Sequence, residues 1–252
     1  ATPNSDMIKA KVTIETAERM LSATYHQHLH ERSGTEINRV VGGYALPEEV
    51  ALAVDFVTPT VHFPGVSKPT QTLNLGAENS AEVSFNTPKA LRQLYNIDVE
   101  GKADGNKQAV TAFLEQGYSE SSLKQFWSTY CDTINCGKGD VTLIGDATVG
   151  HGTESMLDIE SITGVAGNIN AEFWGFSGRS PDNAENEPFL KWLSQVSSTG
   201  DDAIPKIFSS SYGEDENSWS FEAASRLNVE FQKAGARESH CCMLLVTRVP
   251  IA

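Results

Sequence analysis

Two acidic side chains lie four residues apart in the segment Gly152–Asp158, which reads GTESMLD. On a helix, Glu154 and Asp158 would share one face, because residues i and i+4 are neighbours on a helix surface. Two carboxyl groups this close raise the pKa of one of them, so that one can hold a proton while the other is ionised. Such a pair could supply a general base at acidic pH, where histidine is fully charged. Most pairs with this spacing are solvated helix faces, so a catalytic role needs support from other features.

Strands and helices alternate along the chain from residue 87 onward. Strands are predicted at 141–145, 170–176, 206–211 and 241–246. Helices are predicted at 88–94, 106–117, 119–130, 153–165, 187–196 and 218–234. This alternation is typical of an α/β fold, in which helices cover a parallel sheet. Ligands are expected at the carboxyl ends of the strands of such a sheet.

The first 63 residues have a different pattern, with short strands and helices that predict a separate α+β unit. Strands are predicted at 11–14 and 39–46, and helices at 15–29 and 47–54. Residues 64–86 are rich in Pro, Ser, Asn and Gly and have no clear period, which is typical of an exposed linker. The sequence therefore predicts three parts: 1–63, 64–86 and 87–252.

The composition excludes some classes of function. The formal net charge of −14 argues against nucleic acid as a partner, because phosphate binding requires clustered Lys and Arg. No run of eighteen apolar residues occurs, so no membrane-spanning helix is expected. In an acidic compartment the 33 carboxylates would approach their unperturbed pKa values and repel one another less.

The four cysteines divide into two pairs. Cys131 and Cys136 could form a short-loop disulfide in an oxidising compartment. Cys241 and Cys242 are adjacent and are expected to be free thiols. No CxxC pair or histidine spacing suggests zinc.

Several motifs resemble the sedolisin family of serine-carboxyl peptidases. Asn86–Asn96, NTPKALRQLYN, resembles the start of the mature catalytic domain in that family. Gly152–Asp158 is similar to the GxExxLD helix, and Ser209–Glu216, SSSYGEDE, is similar to the SYGxxE segment of the substrate cleft. Glu187–Leu193, EPFLKWL, follows in the expected order. The ordered match covers roughly residues 10–237, and the tripeptidyl-peptidase-like branch is the most similar.

The resemblance implies roles for individual residues. Glu154 would be the general base of a Ser–Glu–Asp triad, and Asp158 would orient it and support its charge. Ser211, Tyr212 and Gly213 would pair with the backbone of a peptide or protein substrate. Trp174 is either part of a pocket wall or a core residue.

The resemblance also implies the architecture. Residues 87–252 would form a partial subtilisin-like parallel sheet with flanking helices, as the N-terminal part of a catalytic domain. Residues 1–63 would be the C-terminal part of an activation pro-segment, an α+β remnant resembling half of a ferredoxin-like fold. Activation cleavage would fall in the linker 64–86.

The end of the chain differs from the family pattern. After Ala236 the family continues to an SGDSG segment, whose Asp completes the oxyanion hole, and further on to the SGTS serine and a calcium site. The sequence here ends in RESHCCMLLVTRVPIA, which contains neither motif. The expectation is therefore a chain without the nucleophile, inactive alone, and without a metal or cofactor of its own. The family's calcium site would lie C-terminal to it.

Three functions remain open from the sequence. The first is part of an acid-acting peptidase, tripeptidyl-peptidase-like, in a lysosome or acidic vacuole or secreted. The second is a non-catalytic pro-segment and half-domain that binds peptides or inhibits a related peptidase. The third is a glycosidase, which needs two carboxylates across a cleft and therefore fits poorly with two neighbours on one helix turn.

Overall fold

The structure, a computed structural model, describes residues 6–29, 34, 36–63, 86–99, 103–131, 136–137, 140–214 and 216–243. We call residues 6–63 the N-terminal region and residues 86–243 the main domain. Within the described residues, the N-terminal region contains a two-stranded antiparallel sheet and the main domain a five-stranded sheet. The predicted linker lies outside the described residues, except for Asn86.

The N-terminal region contains two short helices and two strands. They are α1 (Ile14–Leu21), β1 (Tyr25–Leu29), β2 (Glu36–Val40) and α2 (Glu48–Ala51). The side chain of Thr13 caps α1 by accepting a hydrogen bond from the amide of Thr16. Ser22 then ends α1 in the left-handed conformation, with φ of 46°.

The predicted helix 15–29 is therefore wrong beyond Leu21. Tyr25–Leu29 pairs with β2 instead, with Tyr25 opposite Val40. The predicted strand 11–14 is also wrong, because α1 already begins at Ile14. In both cases the pairing and capping of a short segment prevail over its local hydrophobic pattern.

The main domain alternates strands with helices, as predicted. Its helices are α3 (Pro88–Leu94), α4 (Glu120–Tyr130), α5 (Thr153–Val165), α6 (Phe189–Ser198) and α7 (Phe221–Ala236). Its strands are β3 (Gln108–Ala112), β4 (Val141–Gly145), β5 (Ala171–Gly175), β6 (Ile207–Ser210) and β7 (His240–Met243). The strands are parallel and lie in the order β4-β5-β3-β6-β7. This confirms the predicted α/β class.

The central strand β3 corrects one prediction. The segment 106–117 was expected to be a helix, but Gln108–Ala112 pairs with β5 on one side and β6 on the other. All five residues of β3 are buried. A strand covered on both faces has no polar alternation, so its short apolar run cannot be distinguished from a buried helix by period.

Side chains pack on both faces of the sheet. On one face, α6 and α7 cover an aromatic cluster that includes Phe113, Trp174, Trp192 and Phe208. On the other face, α4 and α5 cover a smaller cluster that includes Val110, Leu123, Ile159 and Phe173. Trp174 is 1% exposed, so it is a core residue and not a pocket wall.

The cysteines behave as the sequence predicted. Cys131, which follows α4, forms a disulfide with Cys136. Cys241 and Cys242 are free. In the part of the chain that the structure describes, we find no helix of the length and apolar character needed to cross a membrane.

Candidate active site

Glu154 and Asp158 lie on consecutive turns of α5, and both are half-buried. Helix α5 follows β4, so its first turn begins beyond the carboxyl end of that strand, where α/β proteins bind their ligands. The predicted i,i+4 arrangement on one helix face is therefore present. It lies at the edge of the sheet where a functional site is expected.

The start of α5 is held by a loop from another part of the chain. Gly152, at the N-cap position, has no side chain to cap the helix. Instead, Oε1 of Gln116 accepts hydrogen bonds from the amides of Glu154, at 3.0 Å, and Ser155, at 3.1 Å. The Ser155 hydroxyl donates in turn to the carbonyl of Gly117 at 2.7 Å. The loop after β3 therefore determines where Glu154 sits.

Gly152 permits this arrangement by its lack of a side chain. A Cβ atom at that position would lie 2.4 Å from both Oε1 of Gln116 and Oγ of Ser155. Any larger residue would displace the capping side chain from the end of α5. No local signal in the sequence links Gln116 to α5, because the amide of Glu154 that it caps lies 38 residues later.

Ser211 contacts Asp158 directly. It follows the last residue of β6, and its hydroxyl donates to Oδ1 of Asp158 at 2.7 Å. Oδ2 of Asp158 is buried and has no hydrogen-bond partner among the described residues. Burial raises the pKa of Asp158 to about 6, against the effect of the Ser211 hydrogen bond, and the charge of Glu154 raises it further. One oxygen is thus anchored, and the carboxyl group can hold a proton at mildly acidic pH.

Tyr212 is buried and Gly213 is half-buried. Tyr212 is 6% exposed and packs edge-on against Phe113, with ring centroids 5.1 Å apart. Its hydroxyl lies near the backbone of Phe113 without a hydrogen bond of ordinary geometry. Burial raises the pKa of this hydroxyl above its usual value, and the charge of Asp158 contributes in the same direction.

Glu187 is a further buried titratable group, to which the sequence pattern assigns no chemical role. It is 3% exposed, and its Oε2 has no hydrogen-bond partner among the described residues. Burial raises its pKa to about 7, and the charge of Glu214 contributes, while a backbone hydrogen bond and the charge of Arg179 lower it. Arg179 pairs with Glu115 through two hydrogen bonds of 2.6 and 2.7 Å. In the sequence, Glu187 resembles any acidic residue in the first turn of a predicted helix.

The arrangement of buried carboxyl groups favours acid-base chemistry. Asp158 and Glu187 both have pKa values above those of ordinary carboxyl groups, so both can hold a proton in mild acid. Perturbed values of this kind occur often at functional sites. Across the described ranges, no group of three or more His, Cys, Asp or Glu residues could hold a metal ion.

Comparisons with known proteins agree with the motifs. Residues 1–63 match the family model described as Pro-kumamolisin, activation domain. The chain is 32% identical over 238 residues to tripeptidyl-peptidase 1 of Rattus norvegicus. It is 31% identical to the proteins of the same name from Bos taurus, over 242 residues, and Homo sapiens, over 239 residues. Each match covers 92% of this chain and 41% of the relative, so the chain spans about two fifths of the relatives' length. Both comparisons agree with the resemblance to the sedolisin family, since the chain is similar over most of its length to part of tripeptidyl-peptidase 1.

Proposed function

We propose that this chain is part of an acid-acting serine peptidase of the tripeptidyl-peptidase type, in which Glu154 is the general base. The observation that carries the proposal is the arrangement of Glu154 and Asp158 on one face of α5, with Asp158 held by Ser211 at 2.7 Å. Similarity to tripeptidyl-peptidase 1 over 92% of the chain supports the same reaction class.

In the proposed mechanism, Glu154 takes the proton of a serine hydroxyl as that oxygen attacks the substrate carbonyl. Asp158 orients Glu154 in this proposal and, with its raised pKa, can hold a proton in mild acid. An aspartate elsewhere stabilises the oxyanion of the tetrahedral intermediate. The proposal assigns the nucleophilic serine to the part of the relatives that the matched 41% does not cover.

The substrate in this proposal is a peptide that binds in an extended conformation beside Ser211, Tyr212 and Gly213. These residues continue the line of β6 beyond its carboxyl end, where an extended substrate can add backbone hydrogen bonds. The burial of Tyr212 against Phe113 supports this role, because it holds the segment in place.

The proposed compartment is acidic, a lysosome or vacuole, or the exterior of a cell. The Cys131–Cys136 disulfide supports passage through an oxidising compartment. The raised pKa values of Asp158 and Glu187 favour an acidic setting, since both carboxyl groups are then neutral in their buried positions.

The test compares residues 1–252 with the longest natural form of the protein that contains them, in peptide cleavage assays from pH 3 to 7. We expect no cleavage by residues 1–252 and cleavage in acid by a longer form that supplies a serine. In that form Glu154→Gln should lower kcat by roughly 10³-fold or more, as expected for a member of a catalytic triad. Glu160→Gln, on the same helix but outside the site, should stay within about threefold.

Two outcomes would contradict the proposal. Cleavage by residues 1–252 that is lost in Glu154→Gln would mean that a nucleophile lies within this chain. An unchanged kcat in Glu154→Gln would show that Glu154 is not the general base. If no form cleaves peptides but residues 1–252 inhibit a related peptidase, the non-catalytic alternative is favoured.

A further inference from the structure

Two residues in the loop between β3 and α4 have a backbone conformation that most side chains disfavour. Leu114 has a φ of 56° and Glu115 a φ of 62°, both in the left-handed region. Residues with a Cβ atom rarely adopt this region, because the Cβ atom then crowds the following carbonyl oxygen. Strained conformations of this kind persist only where the surroundings hold them, and they occur often at functional sites. This loop therefore needs a contact from outside that keeps it in place.

Arg179 provides such a contact. It lies in the loop between β5 and α6, and its guanidinium donates to both carboxylate oxygens of Glu115, at 2.6 and 2.7 Å. Two parallel hydrogen bonds fix the direction of the carboxylate as well as its distance. The same Nη1 also donates to the carbonyl of Gly178 at 3.1 Å, which orients the guanidinium. The hydrogen bond from Arg179 lowers the pKa of Glu115, so this carboxylate keeps its charge in more acidic solution than usual.

The loop that carries Arg179 is fixed to the rest of the main domain independently of Glu115. The amide and the hydroxyl of Ser177 donate to the two carboxylate oxygens of Asp146, at 3.1 and 2.7 Å, just beyond β4. Lys191 of α6 donates to the same carboxylate at 2.6 Å and to the carbonyl of Ser177 at 2.9 Å. Arg179 lies only two residues from this anchored position.

The strained loop passes this restraint on to α5. Gln116 follows Glu115 directly, and its Oε1 is the acceptor for the amides of Glu154 and Ser155 at the start of the helix. The direction of the chain at Glu115 determines where the side chain of Gln116 can reach. A contiguous set of hydrogen bonds therefore leads from Arg179 through this loop to Glu154.

The ion pair itself is too exposed to be a major source of stability. The side chain of Glu115 is 63% exposed and that of Arg179 is 35% exposed. Ion pairs in such positions contribute little to the free energy of unfolding, because water and salt screen them. Its effect is therefore expected in the direction of one loop and not in the stability of the whole domain.

We propose that Arg179 is a positioning residue for Glu154. It holds Glu115 in its left-handed conformation and thereby directs the side chain of Gln116 to the first turn of α5. In this role Arg179 acts through Gln116 and takes no part in the proton transfer. The importance of this position for catalysis rests on the proposed peptidase function, whereas the restraint on α5 does not.

Hydrogen exchange of single amides, measured by NMR in this chain, tests the restraint without any peptidase activity. The amides of Glu154 and Ser155 donate to Gln116, so their exchange reports on this cap. Arg179→Gln should speed exchange at both by about threefold or more, and Gln116→Ala by about tenfold, since the second variant removes the acceptor itself. In Arg179→Gln the amide of Ile159, in the middle of α5, should stay within about 1.5-fold.

Matched variants separate a specific effect from a general one. Asp201→Asn removes a similarly exposed carboxylate from its ion pair with Arg237, at 2.7 Å, and should leave exchange at Glu154 unchanged. The double variant Arg179→Gln/Glu115→Gln should exchange no faster there than Arg179→Gln alone, because both changes break the same pair.

Kinetic measurements on the longer natural form test what this positioning is for. Arg179→Gln should lower kcat by roughly tenfold, since a small displacement of a catalytic group is costly, and should leave KM within about threefold. The KM should hold because the proposed substrate-binding segment 211–213 follows β6, a different strand. A change confined to KM would overturn the assigned role. If no form cleaves peptides, the proposed function fails, and the exchange measurements still decide whether Arg179 restrains α5.

Two exchange results would overturn the restraint. One is an unchanged rate at Glu154 and Ser155 in Arg179→Gln. The other is an equal acceleration at Ile159, which would mean that the substitution destabilises the domain in general. If Arg179→Gln does not fold, Glu115→Gln takes its place. It should speed exchange at Glu154 and Ser155 by about twofold or more, because a neutral amide is a weaker acceptor, and wild-type rates in it would contradict the proposal.

Discussion

The N-terminal region and the main domain bury apolar surface to very different extents. Among the described residues, the N-terminal region fully buries two apolar side chains, Leu21 and Val40. The main domain buries a continuous, largely aromatic cluster on one face of its sheet and a smaller, mostly aliphatic cluster on the other. Small units with so little core are marginal alone. The N-terminal region therefore depends on polar contacts for its stability, such as the hydrogen bonds from Arg39 to the carbonyls of His62, Asn38 and Asp182. The main domain, in contrast, has a core of its own.

This difference predicts two levels of stability in one chain. Regions with few buried apolar contacts open with a lower free energy than the global transition. Amides in β1 and β2 should therefore exchange with solvent faster than those in β3, which is paired on both sides.

The largest expected effect comes from the aromatic core. Trp192 is 0% exposed and contacts Phe113 and Phe208, with ring centroids 6.1 and 5.7 Å away. Trp192→Ala should lower the free energy of unfolding by about 3–5 kcal/mol, because it leaves a large cavity. Urea unfolding followed by circular dichroism measures this loss of unfolding free energy. Phe221→Ala, at an 82% exposed position, should change it by less than about 0.5 kcal/mol. Equal losses of unfolding free energy in Trp192→Ala and Phe221→Ala would contradict the conclusion that this core stabilises the main domain.

A smaller effect, dependent on pH, is expected at Glu187. Its pKa is about 7 in the folded chain against 4.5 for the ordinary group, so the folded state keeps a proton that the unfolded state loses between these values. This group's contribution to stability therefore falls as pH rises from about 4.5 to 7, by on the order of 3 kcal/mol. Glu187→Gln, which stays neutral, should raise the melting temperature at pH 8 and leave it nearly unchanged at pH 4.

The matched control for that experiment is Glu222→Gln, at an exposed position on α7. It should not alter the difference in melting temperature between pH 4 and pH 8. If Glu187→Gln behaves in the same way, the buried carboxyl group at position 187 is not the source of the pH dependence.

The smallest effect is expected in the N-terminal region. The hydroxyl of Tyr25 donates to the carbonyl of Pro59 at 2.8 Å. Tyr25→Phe should lower the free energy of local opening in the N-terminal region by about 1 kcal/mol, because it removes this hydrogen bond. Amide exchange in β1 and β2 should then be roughly fivefold faster. Tyr95→Phe, at a 71% exposed position of the main domain, should leave that exchange unchanged. A fall in the urea midpoint of the whole chain would show that the two regions unfold together.

The sequence predicted the main domain better than the N-terminal region. Helix α5 was predicted at its observed bounds, and α4 to within one residue, where Ser119 supplies the cap. These helices are long enough for their apolar period to be read. Strand β1 was missed because five residues carry too little pattern to oppose the helical reading of their neighbours. Strand β3 was missed because its burial removes the alternation.

The candidate site was predictable only where its contacts are local. The spacing of Glu154 and Asp158 is enough to place them on one face of a helix. The hydrogen bond from Ser211 to Asp158 spans 53 residues, and the cap that Gln116 provides for α5 spans 38. Such contacts depend on the order of strands in the sheet, which spacing alone does not reveal. The catalytic and substrate-binding roles of these residues stay predictions.

The strand order also determines the sequence of events on the ribosome. Strand β3 is the central strand, yet it is the first of its sheet to be synthesised. Its partner β5 follows about 60 residues later, since Gln108 pairs with Ala171. At about 5–20 residues per second, the nascent β3 waits for several seconds without a partner. During that delay β3 has two unpaired edges, which are prone to aggregation. Of the structured parts of this chain, the N-terminal region has by then already been synthesised.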